Sequence, residues 1–252
     1  MCGIFGIVSN KSIIVSELRS LAEHSEQRGK DSSGLFISKS ERYELHRANQ
    51  AITSLLKKVS FENSGFAMGH SRLITNGLDD NQPVYRDSVC VIHNGIVVNH
   101  DELWALIGKA RHQEIDTEII AAIAADYLEK GGQVDNIAFR VLGLCKGVVA
   151  CALALPKLGK LCLFSNNGSL YHGIKDGAHY FASEGYPLKK LGCDPVTQVR
   201  NEGLVINIPK SDNEPKVHEH SERIKNLIPG LGANYSEEKM LEYKRYTGRR
   251  CT

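Results

Sequence analysis

Immediately behind its second residue, Cys2, the chain carries six residues without a polar side chain, Gly3-Ile4-Phe5-Gly6-Ile7-Val8. A short apolar run of this kind reads as a buried strand, with glycines permitting close approach of neighbouring backbone. The cysteine therefore stands at the head of a strand that the fold must bury. Removal of Met1 would leave Cys2 with a thiol and a free α-amino group on one residue. A terminal amine titrates near ~8 and a thiol near ~8.5, so both exchange protons around neutral pH. A nucleophile activated by its own terminal amine is an established form of covalent catalysis. Gly3 is small enough to favour removal of the initiator and to admit a substrate to the backbone. Chance alone also produces chains that begin Met-Cys, so Cys2 gains meaning only from what accompanies it.

Apolar periodicity next predicts a helix over 13–27, through Ile14, Leu18, Leu21 and Ala22, then strands over 33–39 and 42–46. A helix over 50–59 leads to a strand over 66–70, a loop over 75–83 rich in Asn, Gly and Asp, and a strand over 88–93. Asn99 is expected to cap a helix containing Leu103, Trp104 and Ile107. Asp116 or Thr117 starts the clearest helix, through Ile119, Ile120, Ile123, Ala124 and Tyr127 to Gly131, and an amphipathic stretch covers 134–145. Strand signals follow at 147–155, 160–165, 178–183 and 196–208, the last broken near Asn201. Strands, a helical middle and strands again imply an α+β fold with helices packed on largely antiparallel sheets.

With 252 residues there is room for one large domain, or for one domain and a tail. The character changes at about Lys210, and 210–252 reads as a linker or docking tail, with one short helix at 236–246. A net charge of +2 makes no electrostatic case for nucleic acid or a membrane surface. No apolar run approaches the ~20 residues needed to span a bilayer, and no secretory leader is evident, so the cytoplasm is the expected compartment. The seven cysteines include no C-x-x-C pair, and Cys90, Cys145, Cys151 and Cys162 fall in or beside apolar runs as buried free thiols. His218 and His220 could bind a metal but read as solvated side chains, so neither metal nor cofactor is expected.

Four polar clusters stand at turns or strand ends. They are Cys2-Gly3-Ile4-Phe5-Gly6, Arg28-Gly29-Lys30-Asp31-Ser32-Ser33-Gly34, Gly69-His70-Ser71-Arg72-Leu73-Ile74-Thr75-Asn76-Gly77 and His93-Asn94-Gly95. Each alone has a dull explanation, since Arg72 could be a surface ion pair and Asn94-Gly95 an ordinary turn. In this order, with Asp116 opening a later helix, they closely resemble the class II glutamine amidotransferases, glutaminase domains of the N-terminal-nucleophile hydrolase superfamily. Lys146-Gly147-Val148-Val149-Ala150 and Phe181-Ala182-Ser183-Glu184 are similar to later strands of these domains.

The resemblance covers residues 2–209 and implies a four-layer α/β/β/α sandwich of two mainly antiparallel sheets flanked by helices. It implies that Cys2 attacks the side-chain amide of L-glutamine to give a γ-glutamyl thioester, with its α-amino group shuttling protons. The Asn94 side chain and the Gly95 N–H would hold the oxyanion. Arg72 would grip the substrate α-carboxylate, Asp116 its α-ammonium, and Thr75 would add a polar contact. Arg28, Gly29 and Gly3 would brace the loop beside Cys2, and His70 and His93 would be structural. Such domains work beside an ammonia-accepting synthase domain or subunit, and a homo-oligomer is compatible. Leu73 and Asn76 depart from the sugar-phosphate synthases, and neither these nor the asparagine synthetases fit cleanly. Two alternatives stay open: a hydrolase of this superfamily acting on another amide, and a non-catalytic regulatory module that keeps the fold.

Overall fold

The structure, a computed structural model, describes residues 2–73 and 81–220. The first apolar run forms β1 (Gly3–Val8), every residue of which is buried. Helix α1 (Val15–Glu26) follows, then β2 (Ser32–Ser38), β3 (Tyr43–Ala48), α2 (Ile52–Leu56) and β4 (Phe66–Arg72). Next come β5 (Val84–Arg86), β6 (Val89–Val97), α3 (His100–Ile107), α4 (Thr117–Glu129) and α5 (Ile137–Leu144). The chain continues through β7 (Gly147–Leu155), β8 (Lys160–Ser165), β9 (Tyr171–Lys175), β10 (Ala178–Ala182) and α6 (Gly185–Lys190). Three short strands close the described part, β11 (Val196–Gln198), β12 (Leu204–Asn207) and β13 (Lys216–Glu219).

The strands form two sheets, one of order β11-β9-β10-β1-β4-β2-β3-β13 and one of order β12-β8-β7-β6-β5. All pairings are antiparallel except that of β13 with β3. Strand alternation sends side chains to opposite faces, and three apolar layers result. Ile4, Phe36, Phe66, Met68 and Phe181 of the larger sheet share a core with Cys90, Ile92, Ala150, Ala152 and Ala154 of the smaller. The opposite faces meet helices. Phe5, Ile7, Leu35 and Ile37 pack with Leu18 and Leu21 of α1 and Ile52 and Leu55 of α2. Val91, Val149, Cys151 and Leu153 pack with Ile119, Ile120 and Ile123 of α4. The result is the expected α+β sandwich of four layers. Cys90, Cys145, Cys151, Cys162 and Cys193 are free and buried, burial pushing each thiol up from its usual range. No helix among the described residues is long and apolar enough to cross a membrane.

Several local expectations need correction. Asn99 precedes α3 without capping it; its amide instead donates to the Leu144 carbonyl and its Oδ1 accepts from Lys146 N–H. The helix expected over 50–59 is only Ile52–Leu56. The stretch from Lys210, expected to be a linker or docking tail, is no simple linker, since it contains β13, whose backbone pairs with β3. Residues 221–252, with the helix expected over 236–246, lie outside the described residues.

The start of α4 is anchored by a buried ion pair. Arg86 Nη1 donates to Glu118 Oε1 at 2.6 Å, with the two side chains 8% and 2% exposed. Glu118 also accepts the backbone N–H groups of His112 and Gln113, while Arg86 lies over the Trp104 ring. Removing one partner strands the other charge in the core. Arg86→Met is therefore expected to cost about 3–5 kcal/mol of stability, measured by chemical denaturation, whereas substitution of the exposed Lys146–Glu102 pair leaves the midpoint nearly unchanged.

Candidate active site

Register places the cysteine. Antiparallel pairing of β1 with β4 sets Gly3 opposite Ser71, so Cys2 lies beside Arg72 where both strands end. β4 also pairs with β2, setting Ser32 opposite Arg72 and Ser33 opposite Ser71. Between α1 and β2 the chain crosses that end through Arg28 and Gly29. A Cβ on Gly29 would lie 2.3 Å from Leu73 N and 2.4 Å from Arg72 C, so only glycine lets this turn reach the end of β4. Asp31 N–H then donates to the Arg72 carbonyl at 3.0 Å. Gly3 is equally confined, since a Cβ there would meet Ser25 Oγ at 2.4 Å.

Arg28 braces the cysteine directly. Its Nε donates to the Cys2 carbonyl at 2.8 Å, and its Nη1 pairs with Glu184, which follows β10. Backbone on the other side of β1 is tied by Ile4 N–H donating to Ser183 Oγ at 2.9 Å. Cys2 is thus fixed through its carbonyl and its strand, while its side chain remains half-buried.

The second sheet brings the other half of the site. His93, expected at a strand end, lies in the middle of β6, which continues through Asn94 and Gly95 to Val97. It is clamped by Gln82: His93 N–H donates to Gln82 Oε1 at 2.6 Å, and Gln82 Nε2 donates to the His93 carbonyl at 3.0 Å. The ring of His93 sits 3.1 Å from the Val148 carbonyl and 3.5 Å from Thr117 Oγ1. Buried Asn94 and then Gly95 follow. Gly95 has φ +154°, and a Cβ there would lie 1.8 Å from Val148 O, so no other residue fits this backbone against β7. Asp116, at the head of α4, does not cap its own helix. Its Oδ2 accepts Val97 N–H at 2.7 Å, linking the helix start to the end of β6.

Electrostatics join the two halves. Burial raises the Cys2 thiol above its usual range; the Leu73 backbone N–H and the Arg72 guanidinium pull it down, and Asp116 pushes it up. The Cys2 sulfur therefore feels both a cation, Arg72, and a carboxylate, Asp116. Burial, then the charges of Arg72 and His93, hold the buried His70 well below the usual imidazole range, against the opposing pull of the His93 backbone. Burial also lowers His93, against the carboxylate of Asp116. Both histidines are buried within their strands.

A half-buried N-terminal cysteine on such a strand end, in a two-sheet sandwich, points to one class of domain. Residues 70–190 match the family of glutamine amidotransferase domains. The domain belongs to the class II glutamine amidotransferases, within the N-terminal-nucleophile hydrolase superfamily. A glutamine–fructose-6-phosphate aminotransferase (isomerizing) of Helicobacter pylori is 26% identical to this amidotransferase chain, over 96% of it and 42% of the relative. One from Bradyrhizobium diazoefficiens is 32% identical over 80% of this chain and 34% of the relative. The chain thus spans between a third and a half of the length of these curated relatives. Among solved structures, the glutamine phosphoribosylpyrophosphate amidotransferase of B. subtilis superposes with a TM-score of 0.65. It is 23% identical, covers 82% of this chain and 47% of its own, and supports the amidotransferase fold.

Of the residues expected at the amidotransferase site, Arg72 and Asp116 each act on Cys2, and Asn94 and Gly95 directly follow His93, whose Nε2 a Cβ on Gly95 would approach to 2.7 Å. Arg28 holds the Cys2 carbonyl, Gly29 lies against Leu73 and Arg72, and Gly3 against Ser25. Thr75 and Met1 lie outside the described residues. Sequence reasoning missed Leu73, which acts through its backbone N–H, and Gln82, whose clamp on β6 only the tertiary structure reveals. Glu184, the partner of Arg28, sat in a segment recognised only as a strand end.

The charges around sulfur give opposite expectations for two substitutions. Alkylation of Cys2, mapped by mass spectrometry across a pH series, should have its midpoint above that of an exposed thiol. Arg72→Met moves the midpoint further up by removing a cation, and Asp116→Asn moves it down by removing an anion. Midpoints that stay put in both variants would show that neither charge acts on the sulfur.

Proposed function

We propose that this domain hydrolyses L-glutamine to glutamate and ammonia through a thioester on Cys2, and that the ammonia passes to a synthase domain or subunit. The supporting observation is the pair of opposite charges that act on the sulfur. The Arg72 cation lowers the Cys2 thiol and the Asp116 carboxylate raises it. A free α-amino acid carries the matching carboxylate and ammonium, so the pair would select glutamine over amides in a peptide chain. The reading of another amide substrate does not account for that pair.

In the proposed reaction the Cys2 sulfur attacks the side-chain carbonyl carbon as its proton moves to the terminal amine. The tetrahedral oxyanion is received by the Asn94 amide and the Gly95 N–H, preorganised by the Gln82 clamp and the contact with β7. Collapse breaks the C–N bond, and the proton held by the amine leaves with ammonia. Water then hydrolyses the thioester, releasing glutamate and restoring the thiol. The amine must be free for this cycle, so Met1 is removed in the active form. The names of the relatives make a sugar phosphate the first acceptor chemistry to test. Ammonia is mostly ammonium at neutral pH and diffuses away, which favours an acceptor held against this domain.

Three substitutions separate the roles. Cys2→Ala abolishes glutamate release from glutamine, and undiminished release would overturn the reading. Asn94→Ala lowers kcat about 10²–10³-fold, as expected for loss of one oxyanion donor, with little change in KM. Asp116→Asn raises KM for glutamine while kcat changes less. If a glutamine-mimicking electrophile forms no adduct on Cys2 in protein shown by mass to lack Met1, the non-catalytic reading replaces this one.

A further inference from the structure

At the far edge of the larger sheet, four side chains with basic or acidic atoms gather on one face. The parallel register of β13 with β3 sets Lys216 beside Glu44 and His218 beside His46. Period-two alternation then puts Glu44, His46, His218 and the following His220 on the same face. His46 is 4% exposed and stacks on His218 with ring centroids 4.4 Å apart and on His220 at 5.1 Å. Two rings turn the same nitrogen toward one carboxylate. His46 Nε2 lies 3.2 Å from Glu44 Oε2, and His218 Nε2 lies 3.9 Å from Glu44 Oε1. His218 Nε2 is buried and makes no hydrogen bond.

We propose that Glu44, His46 and His218 bind a divalent first-row transition metal ion such as zinc, with His220 orienting His46 from behind. Among the described residues, these three form the one group whose nitrogen and oxygen atoms lie close enough together, all within 4.8 Å, to share an ion. Tetrahedral zinc with bonds of about 2.0–2.1 Å to nitrogen and to carboxylate oxygen separates its ligand atoms by about 3.3 Å, between the two distances seen. Two imidazoles and a carboxylate are an established donor set for this ion, with a further position left for water. The remaining nitrogen of His46 is already engaged, 2.8 Å from His220 Nε2. A ligating histidine ordinarily donates its second N–H to such a neighbour, which fixes the ring and its tautomer. With Nδ1–H given to His220, Nε2 of His46 presents its lone pair to the ion.

The strand itself has need of such a clip. β13 is four residues long, and Lys216, Val217 and Glu219 are exposed, so it has almost no apolar anchor. Its Glu219 pairs with Arg47 from a largely exposed position. An ion held by two β3 side chains and one β13 side chain would pin this edge strand to the sheet. The ligands come from strands at opposite ends of the chain, so no local spacing motif announces them.

The test uses the full chain carrying Cys2→Ala and Cys251→Ala, which remove the one thiol not fully buried among the described residues and the one that lies outside them as competing ligands. After chelator treatment, titration calorimetry should show one Zn2+ bound per chain and a rise in Tm on loading. His220→Ala weakens binding about 10–100-fold, the range for outer-shell partners. His218→Ala and Glu44→Gln each weaken it by more than that and lose the metal-dependent rise in Tm, while their metal-free melts match the parent. Because two independent ligands are replaced, a folding defect in one variant leaves the other to decide. No binding by the parent, or affinity unchanged in both ligand variants, overturns the proposal.

Discussion

The site depends on one stretch of antiparallel backbone, the pairing of β1 with β4. That ladder sets Gly3 against Ser71 and thereby brings the second residue of the chain beside Arg72. Chain termini ordinarily fray unless a sheet or a docked element ties them down. Here β1 is central in the larger sheet, with β4 on one side and β10 on the other. Slippage by one residue would invert every side chain of β1, exchanging Ile4 of the inter-sheet core with Phe5 of the helix-facing core. Both faces are buried, so the register that positions Cys2 is fixed by two apolar layers at once.

The second requirement is that the two sheets stack with their strand ends in step. Ala150, Ala152 and Ala154 of β7 present small side chains to the shared core, opposite a sheet that contributes Phe36, Tyr43, Phe66 and Phe181. Large residues on one side and small ones on the other fill that layer without voids. The second half of β6 is then held by three independent devices: the Gln82 clamp, the close approach of Gly95 to Val148, and the bond from Val97 N–H to Asp116. Asp116 serves both sheet and site because its carboxylate is diverted from capping α4. The buried Glu118, paired with Arg86, ties the preceding segment to the helix start by accepting the backbone N–H groups of His112 and Gln113.

Strands with continuous apolar character, such as β1 and β7, could be read from the sequence because both of their faces are buried. The same holds for α4, whose apolar positions repeat at helical spacing. β13 could not, because Lys216-Val217-His218-Glu219 has no buried face and is held by backbone pairing at an edge. β9, reading Tyr-His-Gly-Ile-Lys, alternates too weakly to stand out, and α6 contains a glycine and a proline that read as a turn. Proline is tolerated in the first turn of a helix, where its missing N–H costs nothing. At the site, side chains with a distinctive chemistry were recognisable from their order, while groups that act through backbone were not. Leu73 is the clearest case: its N–H helps set the thiol, and any residue there would provide one.

The raised thiol has a consequence for the order of events in the proposed reaction. Arg72 is the charge that most favours a thiolate at Cys2, yet it is also the group proposed to receive the substrate α-carboxylate. Once that carboxylate arrives, the guanidinium is neutralised and its pull on the sulfur weakens. The α-ammonium would at the same time offset Asp116, which pushes the thiol the other way. The two halves of a bound zwitterion therefore act with opposite sign on the sulfur, and neither produces a standing thiolate in a site where burial already favours the neutral form. Proton transfer must then accompany attack rather than precede it, which calls for a base within reach of the sulfur at that moment. His70 and His93 are poor candidates, since burial lowers both below the usual imidazole range. In the proposed reaction the amine of the same residue would meet the requirement without any further side chain.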